Sequence, residues 1–253
     1  ASRTDIKLPG MQQQLIAEIK KQTGKPVILV LFNGRPLDLS WENEHVDAIL
    51  EAWFPGTNGG HAIKEVLWGE YNPSGKLTVT FPRNIGQIPI FYNQKNTGRP
   101  ADIEGAHSRY VSKYIDSENT PLYPFGYGLS YTNFKYQGTT LSTNTLTSNS
   151  QIYIESTITN TGNYDGEEIV QLYIHDKFGS FTRPIKELKG FKKVFLNKGE
   201  TKVVCFTITT DDLKFYNLDR EYTAEEGEFE LFIGGNSDHQ FTNSFYLQNN
   251  KLL

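Results

Sequence analysis

"PLYPFGYGLSYTNF", Pro121 to Phe134, sets three tyrosines and two phenylalanines among two glycines and two prolines, with no charged residue. Rings and turn formers in this density fit a sugar-stacking platform, a phosphate loop or packing between two domains. The flanking sequence decides among them, because the pattern of apolar residues changes period across this stretch.

Upstream, helical and strand patterns alternate. "LPGMQQQLIAEIKKQTG" carries Pro9 near its start, Leu15, Ile16 and Ile19 on one side, and Gly24 as a left-handed stop, so it predicts an amphipathic helix. "KPVILVLFNG" predicts a strand over Val27 to Phe32, covered on both faces as in a parallel sheet. "DAILEAWFPG" predicts a second buried strand, and "GGHAIKEVLWG" a helix with Ile63, Val66 and Leu67 inward. In "KLTVTFP" the alternation of Leu77, Val79 and Phe81 predicts a third strand. This is βαβ grammar with a mostly parallel sheet and flanking helices. From about residue 82 to 120 no period is sustained, and a loop of that length is usually functional or interfacial.

Downstream the period becomes two. Ile152, Ile154 and Ile158 alternate with Tyr153, Glu155 and Thr157, and Val170, Leu172 and Ile174 with Gln171, Tyr173 and His175. Val204, Phe206 and Ile208 repeat the pattern, as do Phe229, Leu231 and Ile233. Half-buried strands separated by "NTGNYDG", "NKGE" and "GGNSD" turns predict an all-β sandwich of immunoglobulin or fibronectin-III type, and the lack of a cysteine pair favours the latter. Its one apolar face implies a complete core, so the sandwich should fold independently. Tyr153, Tyr173, Phe178 and Phe181 are its candidate surface rings, expected to cover a neighbouring domain rather than bind sugar. The division is therefore residues 1–120 (α/β), 121–134 (aromatic junction) and 135–253 (sandwich).

Composition closes several routes. Lys and Arg total 25 against 29 Asp and Glu, a net charge of -4 without like-charge runs, so neither a nucleic-acid nor a membrane partner is expected. "FGYGLSY" has Tyr131 where a dinucleotide loop needs its third glycine. The glycine turn "PGTNGGHA" lacks the Lys-Ser/Thr of a P-loop. His45, His61, His107, His175 and His239 are scattered, so no metal and no cofactor is expected. Cys205 reads as a packing thiol. No G-x-S-x-G elbow offers a serine nucleophile. Paired-carboxylate chemistry remains, with Asp5, Asp38, Glu42, Glu44, Glu51, Glu70, Asp102, Glu104, Asp116 and Glu118 available, most of them expected to be solvated or capping.

"SRTDIKLPGMQQQLI", "GKPVILVLFNGRPL", "AILEAWFPGTNGGHAIKEVLWGEYNPSGKLTVTFPR" and "PLYPFGYGLSYTNF", in this order, closely resemble the C-terminal half of family 3 glycoside hydrolases of the bacterial β-glucosidase type. "ITNTGNYDGEEIVQLYIHD" and "RPIKELKGFKKVFLNKGET" resemble that family's fibronectin-III-like domain. The resemblance implies a TIM-like barrel, then an α/β sandwich, then this domain, with a retaining mechanism on β-glucosides or oligosaccharides. It also implies that the aspartate nucleophile belongs to the barrel and the acid/base glutamate to the residues just before Ser2. No catalytic residue is then expected in the chain, which should be inactive alone. The missing barrel portion is its expected partner, and a non-catalytic carbohydrate- or protein-binding module is the alternative. The resemblance also implies a periplasmic or secreted location in a bacterium.

Among the residues themselves, Arg3 is placed to steady the acid/base segment through a carboxylate or to line the site entrance. Trp53, Asn96 and Arg99 are further substrate-facing candidates, although an indole at a strand end is more often core. Tyr123, Phe125, Gly126, Tyr127, Gly128 and Tyr131 are expected to cement the domains, the glycines turning the backbone where side chains would obstruct it. A sheet without its leading strands exposes an edge and an apolar face, so a homodimer, aggregation or dependence on the missing part is expected of the isolated chain.

Overall fold

The computed structural model describes residues 3–101 and 108–248. They form two compact units. The first comprises the residues up to Tyr71 with Thr78–Ile90 and Tyr114–Pro124, and the second comprises Asn72–Leu77, Phe91–Lys113 and the chain from Phe125 onward.

The first unit is mixed α/β. Helix α1 spans Gln12–Thr23 and ends at Gly24, whose φ of 59° lets its N–H reach the Lys20 carbonyl at 2.9 Å. Strands β1 (Ile28–Leu31) and β2 (Ala48–Glu51) pair in parallel, Ile28 opposite Ala48 through Leu31 opposite Glu51. Between them lies α2, Ser40–His45, a helix too short to show an apolar period in the sequence. Helix α3, Gly59–Leu67, turns Ile63, Val66 and Leu67 away from solvent.

Two expectations for this unit fail. β1 is not covered on both faces: Leu31 is buried, whereas Ile28 is 50% and Phe32 61% exposed. With one paired strand and one buried α1 contact residue, Ile16, there is too little structure to cover the sheet; Leu15 and Ile19 of α1 stay exposed. "KLTVTFP" is not a third strand. Thr80 and Phe81 are both buried and Val79 is exposed, so the backbone bends at 78–79 instead of alternating. Phe81 accepts from Leu122 N–H at 2.9 Å and donates to the Tyr123 carbonyl at 2.9 Å. The irregular stretch beyond is organised by side chains. Buried Gln87, in a 3-10 turn at Ile85–Gln87, accepts from Arg83 N–H at 2.6 Å and donates to the carbonyls of Glu118 (2.9 Å) and Thr120 (3.2 Å).

The second unit is a β-sandwich. Its strands are β3 (Phe134–Leu141), β4 (Thr145–Thr147), β5 (Ile152–Asn160), β6 (Gly166–Asp176), β7 (Glu187–Leu196), β8 (Thr201–Ile208), β9 (Phe215–Tyr216), β10 (Tyr222–Thr223), β11 (Gly227–Gly234) and β12 (Asn243–Gln248). One sheet runs β4-β12-β11-β6-β7 and the other β3-β5-β8, while β9 and β10 form a small separate pair. The alternating residues Ile152, Ile154, Ile158, Val170, Leu172, Ile174, Val204, Phe206, Ile208, Phe229, Leu231 and Ile233 all enter the core between the sheets.

β6 departs from the half-buried expectation. Gln171 and Tyr173, on its outer face, are buried as well. The cover comes from the irregular segments of the same unit: Tyr92 stands edge-on to Tyr173 with centroids 5.9 Å apart, and Phe125 stacks on Tyr92 at 4.3 Å. Tyr173 is thus no surface ring, whereas Tyr153, Phe178 and Phe181 are exposed. Cys205 also differs from expectation: it lies exposed on the outer face of β8, 3.6 Å from Glu155, and partial desolvation with that carboxylate raises its pKa.

Residues 125–128 run antiparallel to 75–77, with Leu77 N–H on the Tyr127 carbonyl (2.8 Å) and Gly126 N–H on the Leu77 carbonyl (2.7 Å). Gly126 has φ 80°, and a Cβ there would lie 2.1 Å from Gln171 Oε1. Gly126→Ala should therefore both strain the backbone and displace a buried amide, lowering stability by roughly 2–4 kcal/mol. Urea denaturation followed by tyrosine fluorescence measures this, and an unchanged midpoint would refute it.

Candidate functional site

In open parallel sheets, ligands gather beyond the carboxyl ends of the strands, where side chains converge without closing the backbone ladder. Beyond β1 come Asn33, Gly34 and Arg35, and at the end of β2 come Glu51 and Trp53. A cleft of about 740 Å³ opens beside them, its lining including Arg3, Asp5, Asn33, Arg35, Leu15 and Phe54.

Arg3 lies on this cleft. Its guanidinium is 3.6 Å from the Asp5 carboxylate and 3.4 Å from the Lys7 carbonyl. Arg35 binds the same segment from the other side, donating through Nη2 to the carbonyls of Arg3 and Asp5, the latter at 3.1 Å. Asn33 Nδ2 donates to the Arg35 carbonyl at 2.8 Å. At Gly34 a Cβ would meet Phe54 Cε2 at 2.8 Å, so a side chain there would have to displace that exposed ring. Asn33 and Arg35 were missed in the sequence, where "FNGRP" reads only as a turn.

Trp53 has φ 49°, a left-handed conformation unusual for a bulky residue and costing on the order of 1–2 kcal/mol. It is half-buried, with its ring 5.9 Å from that of Phe81. Its N–H donates to Glu51 Oε1 at 3.0 Å, which stabilises the turn. Burial pushes the Glu51 carboxyl above its ordinary 4.5, outweighing the bonds from Trp53 N–H and Asn33 that favour the anion. Among the described residues, Glu51 Oε2 and Asn33 Oδ1 are buried with no hydrogen-bond partner.

Four further acids of this unit have structural partners. Glu42 is buried and accepts from Gln13 Nε2 at 3.2 Å, and Asp38 accepts from Ser40 N–H at 3.2 Å. Glu70 pairs with Lys64, and Glu118 with Arg83 at 2.6 Å. Asp102, Glu104 and His107 lie outside the described residues.

Asn96 and Arg99 belong to the second unit, both exposed; the Arg99 carbonyl accepts from Ser112 N–H at 2.7 Å. The aromatic stretch is divided between the units. Tyr123, in the first, places its ring 6.0 Å from Phe81 and donates its hydroxyl to Asn43 Oδ1 at 2.7 Å. In the second, Phe125 stacks on Tyr92 and Tyr127 is half-buried. A Cβ on Gly128 would lie 2.6 Å from the Gly75 carbonyl. Tyr131 is 46% exposed and donates its N–H to Asn72 Oδ1 at 2.8 Å.

Residues 1–131 match the Glycosyl hydrolase family 3 C-terminal domain, and residues 168–237 match the Fibronectin type III-like domain. The chain belongs to glycosyl hydrolase family 3. It is 49% identical to a periplasmic beta-glucosidase of Salmonella typhimurium, over 98% of this chain and 32% of that protein. With a beta-xylosidase of Formosa agariphila the identity is 42%, over 93% of this chain and 31% of the relative. Among solved structures, beta-glucosidase from Listeria innocua in complex with glucose superposes with a TM-score of 0.91 at 42% identity, covering 97% of this chain and 34% of that one. The family 3 chain thus spans about a third of the length of these relatives.

Within this family 3 chain, Glu51 gives a measurable signature. A carboxyl whose folded pKa lies above the unfolded one favours folding when protonated and loses that contribution as pH rises through the folded value. Glu51→Gln keeps an acceptor for Trp53 N–H without the charge. Its melting temperature relative to the unsubstituted chain should therefore rise between pH 4 and pH 7, and a difference independent of pH would contradict a buried, perturbed carboxyl.

Proposed function

We propose that the chain is the C-terminal portion of a retaining β-glucosidase-type hydrolase that releases terminal β-linked sugars, and that it is inactive without the N-terminal portion. One observation carries this: the similarity runs over 93–98% of the chain yet covers only about a third of its relatives, among them a beta-glucosidase and a beta-xylosidase. Retention needs a nucleophilic carboxylate and an acid/base carboxyl about 5–5.5 Å apart. The structural engagement of Asp38, Glu42, Glu70 and Glu118 argues against finding that pair in the first unit. On this reading the nucleophile comes from the barrel and the acid/base glutamate from the segment preceding Ser2, while the present residues shape and support the site. Tyr123, Phe125, Tyr127 and Tyr131 serve architecture rather than sugar binding.

The Salmonella typhimurium relative is periplasmic. We place the parent enzyme in the periplasm or outside the cell. Among the described residues no helix is long and apolar enough to cross a membrane.

Aryl β-glucoside turnover tests the reading. Residues 1–253 alone should release no phenol, and addition of the N-terminal portion should restore release. Turnover by the chain alone would refute the assignment of both carboxylates elsewhere. Glycan binding by the chain alone, with no restoration, would favour a non-catalytic binding module instead.

A further inference from the structure

The segment from Arg3 to Lys7 is tied down at nearly every residue. The carbonyls of Arg3 and Asp5 are both taken by Arg35 Nη2, and the Ile6 carbonyl accepts from Asp38 N–H at 3.0 Å. The Asp5 carboxylate accepts from Lys7 N–H at 3.1 Å, and the Ile6 side chain is 4% exposed. Lys7 Nζ is 3.9 Å from Asp38. Among the described residues these external anchors stand on the connection between β1 and α2, and of them Arg35 is the one that reaches back to Arg3.

Arg35 is itself well mounted. It follows Gly34, held close to the Phe54 ring, and its carbonyl is bound by Asn33 Nδ2. Its guanidinium offers several donors in one plane, so it can hold two carbonyls in a fixed relation. An ammonium on a flexible stem can reach the same carbonyls but holds their spacing and orientation less firmly.

We propose that Arg35 is a positioning residue for the proton-donating carboxyl of the parent hydrolase, acting through the backbone at Arg3 and Asp5. This rests on the functional reading above, in which that carboxyl enters from the residues just before Ser2. In the first displacement the nucleophilic carboxylate bonds to the anomeric carbon as the glycosidic C–O bond breaks. The electron pair of that bond goes to the leaving oxygen, and the acid delivers its proton there. The acid must lie within about 2.6–3.2 Å of that oxygen, and a misplacement of about 1 Å costs on the order of 100-fold.

Leaving-group dependence separates positioning from mere stability. A 2,4-dinitrophenolate departs without a proton, whereas an alkoxide requires one. In the full-length enzyme, Arg35→Met should lower kcat/KM for an alkyl β-glucoside on the order of 100-fold, leave that for 2,4-dinitrophenyl β-glucoside little changed, and alter the basic limb of the pH profile. Arg35→Lys should recover part of the loss, and it carries the comparison if Arg35→Met does not fold. An equal loss on both substrates, or no loss on either, would overturn the role of Arg35. An unsubstituted full-length enzyme that cleaves neither substrate would instead overturn the functional reading.

Discussion

The amide of Gln171 is the contact on which the second unit depends. Buried on the outer face of β6, its Nε2 donates to the carbonyls of Gly126 (3.2 Å) and Gly235 (2.7 Å), while its Oε1 accepts from the Tyr173 hydroxyl at 2.6 Å. A buried amide with unmet partners costs more than a made bond contributes, so these three groups fix one another. Around them the rings of Tyr92, Phe125, Tyr173 and Phe232 stack or meet edge-on, and Ser237 N–H closes on the Phe125 carbonyl at 2.9 Å. Glu168, three residues before Gln171 in β6, is held likewise by Tyr136 and by Lys76 at 3.1 Å, although burial raises its carboxyl pKa. Irregular backbone is thereby given a defined place on a regular sheet.

How much of this could be read from sequence follows from the kind of force involved. The inner residues of β5, β6, β8 and β11 were legible because burial against one partner sheet imposes a strict period of two. Helix α1 and its stop at Gly24 were legible because a left-handed terminus selects glycine. The outer face of β6 was not: Gln171 and Tyr173 occupy positions that an alternating strand gives to solvent, and what covers them comes from segments without periodicity, 45 to 81 residues away in the chain. "KLTVTFP" misled for the same reason, since its hydrogen bonds go to the aromatic stretch and not to a sheet.

The site shows the same divide. Arg3 stood out through its place next to a segment the resemblance made catalytic. Arg35 did not, because its importance lies in backbone carbonyls that no residue pattern records. Glu51 was one acid among ten; only the turn at Trp53 and the burial of its carboxyl single it out.

The two units alternate along the chain, with Asn72–Leu77 and Phe91–Lys113 of the second interposed among pieces of the first. No single cut can therefore free the sandwich whole: excision at its first strand strips the cover from Tyr173 and leaves Gln171 without the Gly126 carbonyl. For dissection of the chain, the consequence is that a cut at Phe134 divides the second unit instead of releasing it.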